Sequence, residues 1–293
     1  FLGANVTALR YGFGKPDFAQ RHTFSGRYAF ATSAYNFGYT GEFADFIGKW
    51  DAVIAAKIQA PQYVSNFFGF GNDVTYDDDP DDRDFNRVRQ QRYGLYPGLR
   101  RNFIGGGLFS VNLLVEDVEI EENQERFIAS DAAGVRPEVF DHQWFAGAEA
   151  KFSYHNVNNE WVPTRGVRFN SALGWKANLT HTDRSLGYLE ANLAVYQNFF
   201  RNDILILATR VGAEHRIGEF DFFQSAFLGG ETNHRGFRNE RFAGRTSFYH
   251  NTDLRIKLFS AVNYYIPTTI GIFGGYDYGR VWLDDEEKDV WHD

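Results

Sequence analysis

Along much of this chain apolar and polar residues alternate one by one, the period of an extended strand with two unlike faces. Across residues 166–180 one set holds Val167, Phe169, Leu173, Trp175, Ala177 and Leu179, and the other holds Arg168, Asn170, Gly174, Lys176 and Asn178. Across 145–154, Ala146, Ala148, Ala150, Phe152 and Tyr154 oppose Gly147, Glu149, Lys151 and Ser153. Across 203–216, Leu205, Leu207, Val211 and Ala213 oppose Arg210, Gly212 and Glu214. The same alternation runs through 49–59, 109–116, 189–198 and 248–258. A soluble sandwich also alternates, but its strands centre on about five or six residues, whereas a tilted membrane strand needs about nine to eleven. The polar set carries Arg, Lys, Glu and Asn in mid-strand, as the wall of a hydrated lumen does. The pattern predicts an all-β protein, an antiparallel transmembrane β-barrel.

About twelve strands can be counted, and their connections alternate short and long, as the two ends of an outer-membrane barrel do. The short ones fall at residues 44–48, 101–104, 156–165, 200–203 and 260–267. Longer polar stretches at 73–90, 118–142, 219–243 and from Asp284 onward all land at the opposite end. Two connections at that end, 33–35 and 181–185, are short and depart from the rule. Trp50, Trp144, Trp161, Phe199, Phe200, Tyr264, Tyr265 and Trp282 collect near segment ends, where interfacial aromatic belts form.

Composition sharpens this picture. Aromatic residues make up 18% of 293, with 30 Phe and 16 Tyr. Mean hydropathy is nevertheless −0.43, so the apolar residues are interleaved rather than clustered. The absence of cysteine removes disulfides, thiolate metal sites and cysteine nucleophiles together. A formal charge of −8 supplies no phosphate-neutralising surface, so no nucleic-acid partner is expected. No apolar run reaches the roughly 18 to 20 residues of a spanning helix. The chain opens at Phe1 with neither Met nor signal peptide, so it is read as a processed product or a fragment.

The segment LGGETNHRGFRNERFAG, residues 228–244, precedes a strand containing DLR and then FGGYDYGRVW, residues 273–282. Together these resemble the signature of the bacterial surface antigen superfamily, the outer-membrane barrels of BamA-type insertases, TamA-type assembly factors and FhaC-type translocators. The resemblance implies that Arg235, Gly236 and Phe237 form the tip of a long loop folded back into the lumen. It also implies that Asp253 and Asp277 are acidic wall partners of the arginine. Strand parity agrees: Asp253 shares a face with Asn251, Arg255 and Lys257, and Asp277 with Gly271, Gly275 and Gly279. A guanidinium presents a planar fork that holds carboxylates in fixed geometry, where a lysine offers a point charge. His234 stands where the family more often has a small apolar residue, and Asp253 where Glu is common. Pro163-Thr164-Arg165-Gly166 resembles a turn-to-strand element of these barrels, and YVSNFFGFGND, residues 63–73, is similar to a stretch of barrels found at the C-terminus of longer chains.

The family barrel has about sixteen strands, an even number as in bacterial outer-membrane proteins. The expectation is therefore one barrel domain over residues 1–293, incomplete after Asp293. A first strand is also expected before Phe1 if the loop lies where the family puts it. The resemblance implies an outer-membrane assembly, insertion or translocation factor, with membrane lipid, client polypeptides and periplasmic domains or accessory proteins as partners. No cofactor and no enzymatic activity are expected. Two alternatives stand beside this one: a passive porin or solute transporter, and a membrane anchor for an enzyme domain encoded outside this segment. Asp77, Asp78, Asp79, Asp81, Asp82 and Asp84 have no EF-hand spacing and read as a solvated loop, as do Glu119, Glu121, Glu122 and Glu125. The eight histidines are scattered, with no zinc spacing.

Overall fold

Among the described residues fourteen strands follow one another: β1 (Leu2–Arg10), β2 (Gln20–Ala29), β3 (Ala34–Ile47), β4 (Trp50–Asn66), β5 (Arg87–Phe103), β6 (Gly107–Ile120), β7 (Gln143–Val157), β8 (Gly166–Asn178), β9 (Ser185–Asn198), β10 (Leu205–Gly218), β11 (Ala226–Leu228), β12 (Phe242–Gly244), β13 (Thr246–Ala261) and β14 (Thr268–Trp282). The computed structural model describes residues 2–15, 17–74, 84–261, 266, 268–284 and 290–293. Among them, twelve strands form one antiparallel sheet in the order β1 to β10, then β13 and β14, while β11 and β12 pair as a separate ribbon. The sheet is open between β1 and β14. His292 pairs antiparallel with Gly279 on the outer edge of β14.

The two faces separate as the alternation requires. Val111, Leu113, Leu173, Trp175, Leu254 and Ile272 are exposed on the outer face, with Leu173 at 58%. On the other face, side chains two strands apart meet: Lys176 of β8 lies 2.6 Å from Glu116 of β6, and the Tyr188 hydroxyl of β9 donates to Glu149 of β7 at 2.8 Å. Such contacts across an intervening strand, and one chamber lined by β4 to β10, fit a concave face. The sheet is thus a barrel wall, apolar outside and charged within.

The packed core does not lie between two layers. It sits at the long-loop end, where the segments after β4, β6 and β10 fold onto one another. Phe67, Ile128, Val139 and Phe222 come from these three segments and pack with Val88, Val118, Ile120 and Phe145 at the adjoining strand ends. The Phe67 and Phe222 rings are 4.9 Å apart, and both side chains are buried. Burying such a side chain contributes about 1.5–3 kcal/mol, so these segments hold one another as a cap.

This cap differs from the polar, solvated loops expected from the alternation. Phe67, Phe70, Phe127, Ile128, Val139 and Phe222 follow neither a two-residue nor a helical period. That they form one core is visible only when three segments distant in sequence meet. Asp84 forms ion pairs with Arg87 at 2.5 Å and Arg126 at 3.8 Å. Glu121 meets Arg89, and Glu119 meets Gln91, each at 3.3 Å. Asp77, Asp78, Asp79, Asp81, Asp82, Tyr264 and Tyr265 lie outside the described residues. At the short-turn end Trp161, Phe199 and Phe200 are exposed, Trp161 at 93%.

Because the chain has no cysteine, single substitutions report one site each. In vesicles, Leu173→Cys should stay unreactive toward a membrane-impermeant maleimide, and Lys176→Cys should react from the aqueous lumen. The reverse pattern would invert the face assignment.

Candidate functional site

The ribbon β11–β12 carries a long hairpin, residues 229–241, from the cap down along the inner faces of β13 and β14. Asn233 closes its first turn: the side-chain carbonyl accepts from the Gly229 N–H at 2.9 Å, and the side-chain amide donates to the Phe227 carbonyl at 2.9 Å. Asn251 of β13 then donates to the Asn233 carbonyl at 2.8 Å, fastening the turn to the wall. This local closure aims the next residues inward.

Arg235 is the tip. Its Nε donates to Asp277 at 2.7 Å and its Nη2 to the other carboxylate oxygen at 2.5 Å, a bidentate pair. Its backbone N–H also donates to Asp277, at 3.2 Å. The same Nη2 reaches Asp253 at 2.8 Å, and Arg255 donates to the second Asp253 oxygen at 3.1 Å. Register explains the convergence: Ala208 pairs with Asp253 and Asp253 with Gly275, two residues before Asp277, so both carboxylates stand on adjacent strands of one face. The Asp277 side chain is 8% exposed and the Arg235 side chain 38%, so the contact is buried on the wall side and partly solvated on the lumen side. Hydrogen bonds to Asp277 hold Arg235 firmly protonated.

Two glycines make the approach possible. A Cβ on Gly275 would stand 2.6 Å from the Asp253 carboxylate and 3.1 Å from the Arg235 guanidinium, so a side chain there would push the tip off the wall. Gly236 has φ +92°, a conformation that turns the chain immediately after the arginine and that L side chains rarely adopt. The turn sends Phe237 back toward the cap, where its ring lies 4.6 Å from His234, 5.3 Å from Phe242 and 5.8 Å from His292.

The structure gives His234 a definite place. It is fully buried, its Nε2 donates to the His292 carbonyl at 3.2 Å, and burial holds its pKa below the ordinary imidazole range. Glu240 follows on the same hairpin and accepts from the Asn66 N–H at 2.8 Å, while burial pushes its carboxyl up. The structure therefore brings Arg235, Asp253 and Asp277 into one contact. Phe237 is set apart in an aromatic cluster, and Gly236 is the pivot between the two.

Sequence reasoning missed a second fastening. Asn72, 4% exposed, donates its side-chain amide to the Val281 carbonyl at 2.7 Å and accepts from the Val281 N–H at 3.0 Å, imitating a strand pair on β14. Beside it, the Gly71 N–H donates to the Ala243 carbonyl at 2.8 Å. The segment after β4 is thereby clasped to both β12 and β14. Its signal was present in FFGFGN, where glycines flank an amide able to serve as both donor and acceptor, but nothing in sequence identified the backbone it would meet.

Asn72→Leu removes both hydrogen bonds and strands a buried N–H and carbonyl, each costing about 1–3 kcal/mol. The expected outcome is earlier proteolysis of the segment after β4 at native temperature, with the heat-modifiable barrel band retained. Unchanged cleavage would show that the clasp contributes nothing.

The model of the Omp85 superfamily domain matches residues 9–291. Among solved structures the chain is similar to BamA from Haemophilus ducreyi lacking POTRA domains 1–3, with TM-score 0.62, 14% identity, and coverage of 96% of this chain and 58% of that one. It is also similar to CdiB from Acinetobacter baumannii, with TM-score 0.51, 12% identity, and coverage of 98% of this chain and 47% of that one. The chain thus spans about half the length of these solved chains, and the likeness is one of fold. With an apolar-out, charged-in barrel sheet and a family match over nearly its whole length, this chain belongs to the Omp85 superfamily.

Proposed function

We propose that this chain is the membrane-embedded part of a non-enzymatic protein assembly or translocation factor of the bacterial outer membrane, with the Arg235 hairpin setting the state of its lumen. Family membership supports an assembly or translocation role. The observation that carries the finer reading is the contact of Arg235 with Asp277 and Asp253, which fixes a long loop against the inner wall. The partners on this reading are outer-membrane lipid around the apolar face, client polypeptides, and periplasmic domains or accessory proteins.

Removing the cation from this partly buried ion pair leaves the buried Asp277 carboxylate uncompensated, which is costly even where the intact pair adds little net stability. The pin therefore serves to select one conformation of the hairpin, and releasing it changes what the lumen can admit. A client strand would be handled through the unpaired backbone groups of a sheet edge, which template further strand addition. A passive solute pore would use the same charged inner wall as a selectivity surface, without needing the hairpin.

The test is made in the native host with the full-length gene. Arg235→Ala should reproduce a large part of the deletion strain's loss of proteins from the outer membrane or the medium, and Arg235→Lys should fall between. If deletion alters small-solute uptake and leaves both protein fractions unchanged, the pore reading replaces this one.

A further inference from the structure

Under the cap, away from the Arg235 contact, the inner wall encloses a chamber of about 430 Å³. Its sides are luminal residues of β4 to β10, and Phe223, Gln224, Ser225, Phe227 and Glu240 close it above. The volume falls within the range of small-molecule sites, about 300–1,000 Å³. The lining is unlike an apolar pocket, because charged side chains dominate it.

Those charges are balanced in the middle and separated at the sides. Lys176 pairs with Glu116 at 2.6 Å and Lys151 with Glu149 at 2.7 Å, which neutralises the wall of β6 to β8. On the β4–β5 side stand Lys57 and Arg92. Arg92 donates to the Gln90 side chain at 3.0 Å and the Phe223 carbonyl at 3.3 Å, and it lies over the Phe223 ring. Neither Arg92 nor Lys57 has a carboxylate within ion-pair distance among the described residues, and Lys57 has no hydrogen bond there either. On the β9–β10 side the imbalance is reversed. Glu190 and Glu214 share one guanidinium, that of Arg216, at 3.0 and 2.8 Å. The Glu240 carboxylate above accepts from the Asn66 N–H at the end of β4 and faces Arg92, so it offsets one of the two cations there, and each side of the chamber keeps a single net charge.

The chamber therefore has a cationic side and an anionic side with a neutral floor between them. Charges held apart by low-dielectric walls produce a directed field, and a dipolar solute aligned with it satisfies both sides at once. An anion alone would leave Glu190 and Glu214 facing it, and a cation alone would face Lys57 and Arg92. We propose that this chamber binds a small zwitterion, a short peptide with free termini, with its carboxylate toward Lys57 and Arg92 and its ammonium toward Glu190 and Glu214. This inference rests on the chamber's own charges and is independent of the assembly reading.

Calorimetric titration of the full-length protein in nanodiscs tests it, with alanyl-alanine, its N-acetyl derivative and its amide as probes. The free dipeptide should bind at least tenfold more tightly than the acetylated form, which lacks the ammonium, or the amide, which lacks the carboxylate. Lys57→Met should abolish discrimination against the amide, and Glu190→Gln should abolish discrimination against the acetylated form. Among the described residues Lys57 makes no ion pair or hydrogen bond that its replacement would remove, and retained heat-modifiability certifies folding. Should Lys57→Met fail that check, Glu190→Gln alone decides. Absence of binding, equal binding of the three probes, binding of the acetylated form alone, or variants with the wild-type preference would each overturn the proposal.

Discussion

One guanidinium joins a long hairpin to two paired strands that backbone hydrogen bonding alone would not connect to it. Arg235 receives its geometry from the hairpin turn at Asn233, and its partners stand on β13 and β14, side by side through the register that sets Asp253 opposite Gly275. The constraint is steric as much as electrostatic, since the approach needs a bare Cα at Gly275. A lysine would neutralise the same carboxylates without fixing the hairpin's direction. Phe237 depends on that direction, because it reaches its aromatic neighbours only where the chain reverses at Gly236. The ribbon β11–β12 above has its own packing, with Leu228 and Phe242 buried against Tyr249 and Val281.

The cap shows how a barrel with a hydrated interior still acquires a dry core. Its walls turn their apolar side outward, so no core can form between them. The long segments supply one instead, collecting phenylalanines and aliphatic residues over the mouth of the lumen. Asn72 and the hairpin fasten this core to β14 at two heights, near Val281 and near Asp277. Between them His292 pairs with Gly279, so the backbone edge of β14 is engaged on its long-loop half. A change in the hairpin is thereby coupled to the cap and to that edge by direct contacts.

The strands were legible because their chemistry is periodic. The two faces assigned to residues 166–180 and 248–258 appear in the structure with the expected parity, and the luminal set around Asp253 and Asp277 follows from the same period. The arginine tip was visible through a resemblance carried by a few motif residues rather than through any local physical rule. What stayed hidden has no period. The cap core is assembled from residues of three separate segments, and the Asn72 clasp joins positions 209 apart in the chain. The charged chamber was hidden for a related reason, since each strand shows its own luminal charges but not which of them find partners across the curve of the wall.

The central claim is that Arg235 and Asp277 act as one unit. A double-mutant cycle on the folded barrel, with Arg235→Ala, Asp277→Asn and the pair together, measures this through urea unfolding followed by heat-modifiability. The account predicts strong non-additivity, with a coupling of at least about 1 kcal/mol and the double variant no worse than the more damaging single one. Additive losses would contradict it, because they would mean that the hairpin and the wall stabilise the barrel independently.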